Sequence, residues 1–105
     1  MVSEEMRYKL LRVLEANPEM SQRALARELG VSLGKVNFCL QALIQKGLVK
    51  AKNFSNSDNK VAYMYLLTPR GMEQKAGLAI RYLKAKTAEY EALRAEIAQL
   101  QREIG

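Results

Sequence analysis

The sequence predicts a mainly α-helical fold with a small β-hairpin, an α+β arrangement that ends in one long helix. Three observations predict it. Apolar residues recur at helical spacing in segments that begin after Ser3, Ser21 and Ser32. The segment VAYMYLLT at positions 61–68 is dense in residues that favour strands. No helix breaker follows Gly77, and apolar residues continue at heptad spacing to the C-terminal end.

The first helix is expected from about Glu4 to Ala16. Ser3 is a suitable N-cap, and the two glutamates that follow it lie near the positive end of the helix dipole. Asn17 and Pro18 end this helix, because proline restricts the residue before it and cannot donate a backbone hydrogen bond.

The segment from Ser21 to Val49 predicts two helices joined by a tight turn. Ser21 caps the first, and Gly30 ends it because glycine adopts a positive φ without steric cost. Ser32 then caps the second helix, and Gly47 is expected just beyond the end of it in a left-handed conformation. The apolar spacing of this second helix predicts four inward-facing residues: Val36, Cys39, Leu40 and Leu43. The two helices form a helix-turn-helix, which presents its second helix to the major groove of DNA.

Two strands are expected next, from Leu48 to Phe54 and from Val61 to Thr68. Alternation places Tyr63, Tyr65 and Leu67 on one face of the second strand together with Val61. The polar linker from Ser55 to Lys60 makes them a hairpin. Three helices followed by a hairpin predict a winged helix-turn-helix, here a DNA-binding domain over residues 1–68.

Residues 69–105 are expected to form a separate dimerisation helix. Thr68 is its N-cap and Pro69 its first residue, and the helix could span about 36 residues or roughly 54 Å. Lys86 interrupts an otherwise apolar heptad seam that predicts a coiled coil between two chains, in parallel or antiparallel orientation. The predicted dimerisation residues are Leu83, Tyr90, Leu93, Ile97, Leu100 and Ile104.

The positive net charge favours a polyanionic partner, since 17 Lys and Arg outnumber 11 acidic residues. No acidic residue occurs between Glu28 and Asp58, whereas four lysines do. The sequence has no histidine and a single cysteine, Cys39, so we expect no metal, no cofactor and no catalytic set. Cys39 is interpreted as a small buried hydrophobe rather than a redox switch. Without a signal peptide or a membrane span of about 20 apolar residues, a cytoplasmic protein is expected.

Candidate DNA contacts lie on the outward face of the second helix of the helix-turn-helix. Asn37 and Gln41 carry the donor and acceptor that can bridge adenine N6 and N7, Lys35 suits phosphate or guanine, and Phe38 can contact a thymine methyl. A solvated or phosphate-side role stays open for each of them. Further candidates on this helix are Ser32, Leu33 and Gly34. Outside it, the basic residues Arg23, Lys50, Lys52 and Lys60 suit phosphates or the minor groove. The alternative is that they are ordinary surface charges.

The sequence from SQRALARELGVSLGKVNFCLQALIQKGLVK through YMYLLTPRG resembles the winged-helix core of MarR-family transcriptional regulators. Within that family it is similar to short regulators found beside bacterial exopolysaccharide gene clusters, and EYEALRAEI extends the resemblance into the last helix. The resemblance implies a dimer whose wings reach the minor groove. Asp58, Asn59 and Lys60 fall where many members have an Asp-x-Arg wing motif, which adds Asn59 to the candidates.

The same resemblance bears on the dimer interface. Typical MarR proteins carry N-terminal helical sequence ahead of the first helix, which joins the interface and helps form an effector pocket. With the first helix expected from about Glu4, we do not expect this segment to be supplied here, so dimerisation is expected on the last helix and a small-molecule effector is not expected.

Two functional hypotheses follow from the sequence. The first is a homodimeric regulator that binds a pseudo-palindromic site in double-stranded DNA and controls exopolysaccharide genes. The second is a protein-interaction adaptor that uses the long helix to recruit another protein and does not read DNA specifically.

Overall fold

The computed structural model describes residues 2–55 and 61–105 and contains four helices and one hairpin within them. Both the first and the last helix have the predicted bounds. The first strand begins and ends one residue later than predicted, because Leu48 completes the turn after the third helix. The second strand ends one residue earlier, because Thr68 is the cap of the last helix. The elements are α1 (Glu4–Ala16), α2 (Gln22–Leu29), α3 (Leu33–Gln45), β1 (Val49–Ser55), β2 (Val61–Leu67) and α4 (Pro69–Ile104).

The predicted caps and turns are confirmed. The hydroxyl oxygens of Ser3, Ser21 and Ser32 each accept a hydrogen bond at 3.1 Å from the amide three residues later. Gly30 and Gly47 have φ values of 67° and 74°. After each glycine, the next amide donates to the carbonyl five residues earlier, as in a Schellman motif. These local signals alone define the ends of α2 and α3.

One hydrophobic core joins α1, α2, α3, the base of the hairpin and the N-terminal half of α4. The four residues of α3 that were predicted to face inward are at most 1% exposed, which confirms the register of that helix. The other buried hydrophobic side chains of the core come from the remaining elements and the turn after α3: Leu10, Leu11, Leu14, Leu25, Ala26, Leu48, Val49, Tyr65 and Leu78.

The hairpin is antiparallel and pairs Val49 with Leu67 and Ala51 with Tyr65. Tyr65 is buried, and its amide donates to the carbonyl of Pro18 at 2.9 Å, which ties β2 to the loop before α2. Tyr63 lies two residues closer to the hairpin tip and is exposed, although it shares the predicted face with Tyr65. The core therefore covers only the base of the hairpin. Of the predicted tip at residues 55–60, Ser55 is the last residue of β1 and residues 56–60 lie outside the described residues.

The N-terminal half of α4 packs against α1. Leu78 is buried, and the rings of Tyr8 and Tyr82 stack with 5.2 Å between their centroids. Two ion pairs link the helices, Lys75 with Glu15 at 2.7 Å and Arg81 with Glu4 at 2.8 Å. This half of α4 thus shares the core of the preceding helices, a contact that the heptad spacing does not indicate.

The start of α4 is seated on the turn that ends α3. Thr68 donates its amide to the carbonyl of Leu48 at 3.0 Å and its hydroxyl to the carbonyl of Gly47 at 2.6 Å. One turn into α4, Gly71 is buried against the same turn, and a Cβ built on it would overlap the carbonyl oxygen of Leu48. Only glycine allows this approach. The direction of α4 is consequently fixed relative to α3.

The C-terminal half of α4 projects away from the core. From Leu83 onward its side chains are exposed, apart from the half-buried Ala98. The molecule accordingly measures 65 × 27 × 23 Å. No helix in the described part of the chain is long and apolar enough to cross a membrane.

Candidate nucleic-acid interface

The candidate interface is built on α3. Its four buried residues hold one side of the helix in the core, so the other side faces solvent over its full length. That outward face contains every residue of α3 that the sequence predicts to contact DNA. The exposed candidates are Ser32, Leu33, Gly34, Lys35, Asn37, Phe38 and Gln41. The structure thus brings the predicted readers onto one continuous surface, and their contact with DNA stays a prediction.

A hydrogen-bonded series of side chains joins this surface to the core. The Nδ2 atom of Asn37 donates to Oε1 of Gln22 at 3.3 Å, and Nε2 of Gln22 donates to the hydroxyl of Tyr65 at 3.0 Å. Gln22 was not among the predicted site residues. Its position next to the Ser21 cap puts it in the first turn of α2, but sequence spacing does not show that this turn faces Asn37. We call these three residues the Tyr65–Gln22–Asn37 series.

Phe38 has a more specific environment than simple exposure implies. Its ring is 58% exposed, yet it borders a groove between α1 and α3. Val2, Arg7 and Lys46 line the same groove. Phe38 therefore borders a groove that two cationic side chains also line.

The other described basic candidates lie on α2 and β1. Arg23 is exposed in the first half of α2. Lys50 and Lys52 are exposed on β1, and alternation along the strand puts them on the face opposite to buried Val49. Asn59 and Lys60 lie outside the described residues, so their predicted contacts remain predictions.

The charge distribution leaves the cations around α3 available to an anionic partner. Among the described residues, all four ion pairs join side chains of α1 and α4 to one another or within one of these helices. Lys35, Lys50 and Lys52 are in none of these pairs, and residues 29–57 contain no carboxylate side chain. Within the part of the chain that the structure describes, no ion pair neutralises these lysines, which favours phosphate binding.

Cys39 lies directly behind this surface, on the buried side of α3. It is 1% exposed, and burial raises the pKa of its thiol above the ordinary value, an effect that the charge of Lys35 partly opposes. A protonated, inaccessible thiol behaves as a small apolar side chain. The structure agrees with the interpretation of Cys39 as part of the core.

These features define a winged helix-turn-helix protein. A sequence family described as winged helix-turn-helix DNA-binding matches residues 4–50, the segment from the start of α1 to the start of β1. No curated protein sequence gives a significant match.

Solved structures of transcriptional regulators have the same fold over most of the chain. A PadR-like regulator from Bacillus cereus superposes with a TM-score of 0.76 at 18% identity, covering 84% of this chain and 90% of the other. A MarR/EmrR-family regulator from Acinetobacter gives a TM-score of 0.62 at 18% identity, with coverages of 93% and 73%. FabT from Streptococcus pneumoniae, solved in complex with DNA, gives 0.59 at 26% identity and covers 79% of this chain, which spans 56% of FabT. The PadR-like and MarR/EmrR-family structures among these are transcriptional regulators.

Proposed function

We propose that this protein is a DNA-binding transcriptional regulator of the MarR/PadR type, that it acts as a homodimer, and that α3 enters the major groove. The observation that carries the proposal is the outward face of α3, which combines amide side chains with unneutralised lysine and has no acidic residue. Amides and lysine match the donors and acceptors of base edges and phosphates. The FabT structure with DNA supports the same use of this fold. A protein that binds chromosomal DNA would work in the cytoplasm.

Homodimerisation is proposed because the C-terminal half of α4 carries an uncovered apolar stripe. The six predicted seam residues are between 46% and 88% exposed in the single chain. Such a stripe is unfavourable in water and is the pattern that a coiled coil buries. The ion pairs and the ring stacking between α4 and α1 involve Lys75, Arg81 and Tyr82, which all precede the stripe, so a second chain can pack along it without displacing α1.

Lys86, which interrupts the seam, is bound by two residues of its own helix. Its Nζ atom lies 3.2 Å from Oε2 of Glu89 and 5.3 Å from the ring centroid of Tyr82. The hydrogen bond and charge of Glu89 raise the pKa of Lys86, which keeps the ammonium protonated. A lysine held in this way removes one apolar contact from the seam without burying a charge in it.

Sedimentation velocity tests the dimer. Leu93→Asp with Ile97→Asp should convert the protein to monomers, because four carboxylates would then meet in the buried seam. The matched control is Ala88→Asp with Ala95→Asp, which adds the same charge on the opposite side of the helix and should leave the dimer intact. Dimers in the first variant would place the interface elsewhere.

Exopolysaccharide genes are the proposed targets, on the strength of the resemblance described above. The test is a titration of the protein with duplex DNA from upstream of its own gene cluster, against random duplex of equal length and at one stated salt concentration. Tighter binding to the upstream DNA is expected. Equal affinity would refute specific regulation of that cluster.

The exposed stripe on α4 also favours the adaptor hypothesis, in which the long helix recruits another protein. Charge reversal at Lys35 separates the two functions, with Lys84→Glu on α4 as the control for the same change in net charge. If the chain is a regulator, Lys35→Glu should weaken DNA binding far more than Lys84→Glu does. Equal effects of the two changes would favour the adaptor.

A further inference from the structure

The Tyr65–Gln22–Asn37 series connects three elements that are distant in sequence. Tyr65 is its fixed end, because its ring is 6% exposed and its amide is bonded to the carbonyl of Pro18. Tyr63 stacks on the same ring with 6.4 Å between centroids. Gln22, in the first turn of α2, is hydrogen-bonded to Tyr65 on β2 and to Asn37 on α3, so it limits the orientation of the Asn37 side chain. Asn37 is thus exposed but not free to rotate without losing a hydrogen bond.

The hydrogen bond to Gln22 determines which groups of Asn37 remain for a ligand. A carboxamide has two N–H donors and one carbonyl acceptor. One N–H of Asn37 points to Oε1 of Gln22, and among the described residues the other N–H and the carbonyl oxygen have no side-chain hydrogen-bond partner. One N–H donor and the carbonyl acceptor therefore remain on the same planar group.

That remaining pair matches one base. Adenine presents an N7 acceptor beside an N6 donor in the major groove, whereas guanine presents two acceptors, N7 and O6. The oxygen of Asn37 can accept from adenine N6 but would face guanine O6 without a proton between them. If Asn37 instead accepted from Gln22, one lone pair of its oxygen would be occupied and both of its N–H donors would remain, an arrangement that suits the two acceptors of guanine.

We propose that Gln22 is a specificity-determining positioning residue, which holds the Asn37 carboxamide in the orientation that reads adenine. The inference rests on the proposed function, since it assumes that α3 lies in the major groove. Gln22 acts through Asn37 and need not touch the DNA. Its removal should relax base preference at one position of each half-site, while the preferences at other positions persist.

The experiment selects binding sequences from a random duplex library and then measures affinity for the selected site and its single-base variants. The wild-type protein should prefer adenine over guanine at one position by roughly 5- to 150-fold, the discrimination typical of a bidentate contact. Asn37→Ala identifies that position by abolishing the preference there. Gln22→Leu should reduce the same preference by more than half on a logarithmic scale.

Two further variants separate positioning from a general structural role. Gln22→Glu keeps an acceptor for Asn37, so it should retain the adenine preference even though its added charge weakens affinity for every sequence. Tyr65→Phe removes only the hydroxyl that anchors Gln22, so it should lower the preference partially. If Gln22→Leu does not fold, these two variants carry the test.

The outcomes distinguish this inference from the function on which it rests. A wild-type protein that selects a sequence but prefers guanine at the Asn37 position overturns the inference alone. The same holds if Gln22→Leu, or Tyr65→Phe in its place, leaves the adenine preference unchanged. A wild-type protein that selects no sequence refutes the proposed function together with the inference.

Discussion

Replacing Gly71 with alanine tests how firmly the long helix is fixed to the helix-turn-helix. The added Cβ would overlap the carbonyl oxygen of Leu48 and lie 3.0 Å from its carbonyl carbon. The overlap with the oxygen sets the displacement: a Cβ atom keeps at least about 3 Å from such a neighbour, so α4 and the turn must separate by at least about 1 Å. That separation strains the two hydrogen bonds from Thr68 to the turn.

The expected cost combines three effects. Overpacking costs about 1–3 kcal/mol, and each of the two weakened hydrogen bonds about 0.5–1.5 kcal/mol. Alanine recovers up to about 1 kcal/mol because it favours the helix more than glycine does. The free energy of unfolding should therefore fall by about 3 kcal/mol, which lowers Tm by roughly 12–24 °C in a domain of this size.

The same helix supplies the control for this measurement. A Cβ on Gly77 would meet only the Nη1 atom of Arg81, at 3.8 Å, so Gly77→Ala should raise the stability by about 0.5–1 kcal/mol. Thermal unfolding followed by circular dichroism, at one protein concentration for all variants, gives both values. If Gly71→Ala is as stable as Gly77→Ala, α4 is not seated on the turn after α3 as described.

Backbone conformation, thiol burial and an ion pair give three smaller predictions. Gly30→Ala should cost about 1–2 kcal/mol because of its positive φ, whereas Gly34→Ala, with equal space around it, should be neutral or stabilising in the same denaturant titration. The Cys39 thiol should react with a chromogenic disulfide only after unfolding, and rapid reaction of the native protein would contradict its burial. Because burial raises the pKa of this thiol, the free energy of unfolding should decline as the pH rises above the ordinary thiol value of about 8.5. A double-mutant cycle of Glu15→Gln and Lys75→Gln should give a coupling below about 1 kcal/mol that decreases with salt, since both side chains are partly exposed; a larger, salt-independent value would contradict it.

Local signals made the helices predictable from the sequence. Each serine cap and each turn glycine acts within about five residues, so the ends of α2 and α3 follow from short segments. The inward register of α3 was predictable for a similar reason, because one helical period of apolar residues defines it. The outward candidates then followed by exclusion from the core.

Contacts between distant elements could not be predicted in the same way. Gln22 approaches Asn37 and Tyr65 only because α2, α3 and β2 converge, and no spacing in the sequence records that convergence. The packing of Tyr82 on α1 is a second example, since the heptad pattern concerns another face of α4. Gly71 gave no signal either, because a glycine one turn into a helix is compatible with many environments.

The central claim is that a dimer places two copies of α3 in the major groove of DNA. Methylation protection on the selected site tests it most directly, because the reagent modifies guanine N7, which lies in the major groove. Two protected clusters should be found, separated by about 10 base pairs or a multiple of that spacing, and Leu93→Asp with Ile97→Asp should weaken protection of both. A single protected cluster, or binding without any major-groove protection, would contradict the claim.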